Sequence, residues 1–134
     1  MKVIKFRARN RETDKWVYSI EEGLVSFFTG IVDGQLDSGT LSQFTGLYAK
    51  NRKDIYEGDI VYNKWTNCYG EDIGDNWLVK FGEHETDSGD YYTGIAYGYF
   101  YENKKGEQTS SLVTDTGEDL EIIGNIFENP ELLR

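Results

Sequence analysis

Apolar and polar positions alternate with period two at the start of the chain, where Ile4, Phe6 and Ala8 share one side and Lys5, Arg7 and Arg9 the other. This is the pattern of a half-buried strand. Asn10 to Lys15 is polar and turn-like, and Trp16-Val17-Tyr18-Ser19-Ile20 resumes strand composition, so the two segments predict a hairpin. Between Glu21 and Ser42 the periodicity is mixed. Leu24, Phe27, Phe28 and Ile31 would suit a helix face, but Gly23, Gly30 and Gly34 interrupt it and Val25, Thr29 and Val32 favour strand. The expectation for this stretch is strand and loop, with a tight turn at Asp33-Gly34 and a flexible tip at Asp37-Ser38-Gly39.

From Gln43 the pattern sharpens. Phe44 to Tyr48 is strand-like, Ala49 to Asp54 is turn-like, and Ile55 to Tyr62 enters another strand through Glu57-Gly58-Asp59. At that step Gly58 is expected to take φ > 0 and Asp59 to accept bonds from nearby backbone N–H groups, turning the chain before Ile60 and Val61. Small SH3-like barrels carry similar punctuation, and this analogy makes the centre of the chain a barrel candidate. Asn63 to Asn76 reads as irregular, Trp77 to Phe81 as a strand, and Glu83 to Asp90 as an acidic loop. The next strand, Tyr91 to Tyr101, sets large residues (Tyr91, Ile95, Tyr97, Tyr99, Tyr101) on one side and Gly94, Ala96 and Gly98 on the other. A turn at Lys104-Lys105-Gly106, a short strand at Ser110 to Thr114 and a turn at Thr116-Gly117-Glu118 follow. Leu120 to Phe127 forms the last strand. Asn129 and Pro130 are placed to cap and open a terminal helical turn.

Composition supports a mostly β chain: aromatic residues make up 15%, and there are fifteen Gly but one Pro. With 134 residues, a single domain over 1–134 is the expectation. The formal charge of −10 is unevenly spread. Residues 1–16 hold six basic and two acidic side chains, a net +4, which leaves −14 for the rest. Such a field disfavours generic binding to nucleic acid or to an anionic membrane. The lone Cys68 has no partner for an intramolecular disulfide, and neither a signal peptide nor a membrane span is legible, so the cytoplasm is the expected location.

Three blocks resemble the YopX family of phage-encoded proteins. They are Ile4-Lys5-Phe6-Arg7-Ala8, the central run from Gln43-Phe44-Thr45-Gly46-Leu47 through Ile55-Tyr56-Glu57-Gly58-Asp59-Ile60-Val61, and the terminal Ile122 to Leu133. Arg9 departs from the family pattern where an aromatic residue is usual, and Arg52 stands where a glycine is expected. The resemblance implies a phage or prophage accessory protein with a partly open, SH3-like barrel and an additional N-terminal hairpin. It also implies assembly into homo-oligomers, and it carries over no catalytic residues.

Signatures for nucleotide loops, dinucleotide folds and zinc ribbons are absent, and no cofactor or metal is expected. His84 reads as a solvated loop histidine, and Glu57 and Asp59 read as turn residues rather than an acid/base pair. The expected function is therefore non-enzymatic: a self-assembling module that binds a host or phage protein. Lys5, Arg7, Arg9, Tyr97, Tyr99 and Tyr101 are the candidate binding residues. If the three basic side chains protrude, they would contact phosphates with tyrosines stacking on bases, the alternative nucleic-acid reading. The simpler and favoured expectation is that this +4 segment neutralises acidic strands of its own chain or of a neighbouring subunit.

Overall fold

A computed structural model describes residues 3–66, 68–87, 93–109 and 120–134. Expectations at Met1, Lys2, Asn67, Ser88 to Tyr92 and 110–119, including the short strand and turn after Thr109, lie outside these residues. The protein is mostly β, and it divides into two compact units, Met1–Gly46 and Leu47–Arg134.

The N-terminal unit is built around β1 (Phe6–Asn10), flanked by β2 (Trp16–Tyr18) and β3 (Leu36–Ala49). β1 and β2 form the expected hairpin with Ala8 opposite Val17. Its turn is fixed by the Asn10 side chain, which accepts from Glu12 N–H (2.8 Å) and Thr13 N–H (3.2 Å). Ala8 is fully buried in a cluster with Phe27 and Leu36, and Phe6 packs against it, as the alternation predicts.

The segment 21–42 departs from expectation. After a single helical turn, α1 (Ser19–Glu22), the chain forms α2 (Leu24–Asp33). The glycines that read as interruptions have other duties. Gly23 precedes the helix, Gly34 closes it in the left-handed conformation (φ +84°), and Gly30 lies on the buried face. A Cβ on Gly30 would stand 3.1 Å from Leu36 Cγ and Cδ1, so its lack of a side chain lets helix and strand approach closely. Asp37 to Gly39 is not a loop tip; it lies within β3, as part of an irregularity where β1 pairing jumps from Asp37 to Ser42.

The C-terminal unit has a five-stranded antiparallel sheet ordered β8-β7-β6-β5-β9, formed by β5 (Asp59–Thr66), β6 (Asp72–Asp87), β7 (Thr93–Asn103), β8 (Gln108–Thr109) and β9 (Glu121–Asn125). β4 (Lys53–Tyr56) precedes it after a 3-10 turn at Lys50–Arg52. Two expectations are corrected here. Much of the irregular stretch 63–76 is the two arms of the β5–β6 hairpin, paired from Ile60↔Leu78 to Thr66↔Asp72. The acidic stretch from Glu83 to Asp87 is strand, because β6 continues in register with β7 as far as Asp87↔Thr93.

The core of this unit gathers Ala49, Ile55, Val61, Trp77, Val79, Tyr101 and Leu120. Gly58 takes φ +89°, and the buried Asp59 accepts from Tyr56 N–H at 2.8 Å, as the Glu57-Gly58-Asp59 step predicts. Arg52, in place of the expected glycine, itself adopts φ +59°. At the C-terminus Pro130 opens the 3-10 turn Pro130–Leu133. Asn129 makes no side-chain cap there; its carboxamide oxygen instead accepts from Asn125 N–H at 3.3 Å.

Candidate binding surface

The ladder between β6 and β7 sets Val79 opposite Tyr101, Phe81 opposite Tyr99, and Glu83 opposite Tyr97. Strand alternation puts these side chains on one face. At the inner end Trp77, Val79 and Tyr101 belong to the core. Further out the same face emerges into solvent: Tyr99 is half-buried, Phe81 is 45% exposed and Tyr97 76% exposed. The Phe81 ring meets Tyr97 edge-on at 5.2 Å and Tyr99 at 4.8 Å, so the three rings form one contiguous patch.

This patch borders a groove of about 270 Å³ lined by Glu57, Gly58, Phe81, Ile126 and Phe127, among others. Burial raises the Glu57 carboxyl above the usual carboxylate range. The Tyr99 phenol is raised by burial and, secondarily, by the Glu57 charge. Tyr101 is raised by burial.

Of the predicted residues, Tyr97, Tyr99 and Tyr101 thus share a face but differ in role, from exposed to core. The tyrosine parity is legible in the sequence, whereas the contributions of Phe81 and of the groove are not. The local pattern ends its strand at Phe81, and only the length of β6 carries that ring onto the same face as Tyr97.

The basic residues lie in the N-terminal unit, each engaged there. Lys5 Nζ lies 4.4 Å from the Phe44 ring centre, Arg7 is buried with its guanidinium 4.3 Å from the Trp16 ring centre, and Arg9 pairs with Asp14 at 3.4 Å. The same unit exposes aliphatic side chains at Ile20, Leu24, Val25 and Val32.

His84 is 5% exposed rather than solvated. It stacks on Phe100 at 4.6 Å on the face opposite Phe81, with Nδ1 3.1 Å from the Gly82 carbonyl oxygen. Glu57, Asp59 and His84 therefore do not converge, since Asp59 is committed to its turn and His84 faces away from the groove. Among the described residues no group of three or more His, Cys, Asp or Glu side chains is placed to hold a metal, and no helix is long and apolar enough to cross a membrane.

The protein is thus mostly β, with an exposed aromatic face on β6 and β7. The YopX protein family matches residues 5–134, and the chain belongs to that family. No curated protein matches it.

Proposed function

We propose that this protein is a non-enzymatic interaction module, a phage or prophage accessory protein of the bacterial cytoplasm that assembles with itself and binds another protein through the outer face of β6 and β7. The observation that carries the reading is the contiguous Phe81, Tyr97 and Tyr99 patch, which continues the core face of the sheet into solvent. Exposed aromatic surface of this kind is characteristic of interfaces, where tyrosine combines apolar area with a polar edge. The dispersal of Glu57, Asp59 and His84 supports a role without catalysis.

Size-exclusion chromatography with light scattering tests the reading. The expected result is an oligomer that Phe81→Ser with Tyr97→Ser converts to monomer while circular dichroism stays unchanged. A strict monomer at high micromolar concentration, or an oligomer indifferent to both substitutions, would overturn it. Nucleic-acid binding draws less support, since Lys5, Arg7 and Arg9 are each already occupied by a ring or a carboxylate.

A further inference from the structure

β5 leaves the side of β6 at a defined point. Ile60 is the first β5 residue paired across, opposite Leu78, and the Gly58 N–H then donates to the Val79 carbonyl at 2.8 Å. Beyond Val79, β6 runs on to Asp87 with β7 on one side and, among the described residues, no strand on the other. Since Val79 directs its carbonyl toward the β5 side, ladder alternation turns the N–H and C=O groups of Phe81 and Glu83 toward that open side. An open edge with alternating donors and acceptors is a template for one more strand.

The groove lies where such a strand would run, in the line that β5 vacates when the chain turns at Glu57-Gly58. Its character is apolar with one carboxylate. Phe81, Ile126 and Phe127 supply the apolar wall, and Glu57 meets no cation among the described residues. Lys80, which also lines the groove, is already paired with Glu102 at 2.8 Å. Glu83 is exposed on the same face as Phe81.

We infer that the open edge of β6 at Phe81 and Glu83 takes up an extended segment of a partner protein as an added strand, with an arginine or lysine side chain of that segment seated against Glu57 in the groove. The inference deepens the interaction reading above and rests on it. Main-chain bonds to the edge would supply affinity, and the carboxylate in its apolar setting would supply selectivity for a cation, helped by the neighbouring rings. Charge argues against a second copy in this position: pairing two β6 edges would bring Glu83 and Glu57 toward their own counterparts.

Calorimetric titration of the intact chain with blocked peptides of about ten residues tests this. The peptides alternate Val and Thr around one central Arg. Companion peptides carry Lys, norleucine or Glu at the centre, or N-methyl groups on alternate amides. The Arg and Lys peptides are expected to bind, with a loss of about ten-fold or more for Glu and for N-methylation. Glu57→Gln, with its amide spectrum otherwise unchanged, should erase the preference for Arg over norleucine.

No binding of the Arg peptide at millimolar concentration, equal binding of the N-methylated peptide, or an unchanged preference in Glu57→Gln would each overturn the inference. If the peptides fail while Phe81→Ser with Tyr97→Ser still abolishes assembly, the added-strand inference falls and the interaction reading stands. If both fail, both fall. An oligomer that excludes the peptides would show that a second copy occupies the edge, and would overturn the choice of partner.

Discussion

Gly58 is constrained twice. Its φ of +89° is disfavoured for any residue with a Cβ, and a Cβ there would stand 3.0 Å from the Phe127 ring. Gly58→Ala should therefore lower stability by about 2 kcal/mol or more, visible as a reduced midpoint in urea unfolding. Glu57, next to it, is held in the opposite sense. Its folded pKa lies above the unfolded value because burial disfavours the charged carboxylate. Ionisation therefore costs the folded state: the penalty is absent below the unfolded pKa and complete above the folded one. Glu57→Gln should melt higher than the parent at neutral pH, and the gap should narrow as pH falls through the carboxylate range. A constant gap would show that charge is not the cause.

At the scale of elements, local chemistry is legible where one residue type has one use. The Gly58-Asp59 turn, the β1–β2 hairpin and the last strand follow from residues whose preferences agree with their neighbours'. The helix α2 is hidden because a glycine serves ends and close contacts as readily as breaks. Gly23 and Gly34 bound the helix, and Gly30 makes room for Leu36. Gly30→Leu should accordingly destabilise the N-terminal unit by about 1–3 kcal/mol through overpacking, even though leucine is the better helix former; thermal melts followed by circular dichroism would register it.

The length of β6 is hidden for another reason. Glu83 to Asp87 has the composition of a loop, and only pairing with β7 across the chain makes it strand. His84 is misread on the same ground, since its burial depends on Phe100, a residue distant in sequence. The candidate surface is thus half legible: its tyrosines announce themselves by parity, while Phe81, Glu57 and Phe127 come together only through tertiary structure.

Over the whole molecule the charge of −10 sets copies against one another. If assembly runs through aromatic faces, salt screens this repulsion and should strengthen it. If it runs through the +4 N-terminal segment on acidic strands, salt should weaken it. Light scattering between low and high ionic strength separates the two by the sign of the change, and the engagement of Lys5, Arg7 and Arg9 within their own unit leads us to expect strengthening.

The departure of β5 at Val79 has a consequence for how this chain tolerates change. Val61 and Trp77, in the core of the C-terminal unit, lie where the sheet has a strand on either side, while Phe81, Glu83 and Tyr97 sit on an overhang that is two-stranded among the described residues. The outer face of this overhang lies apart from the core, while its other face buries His84 against Phe100. On the interaction reading proposed above, substitutions at Phe81, Glu83 and Tyr97 would change what the protein recognises while leaving that core in place.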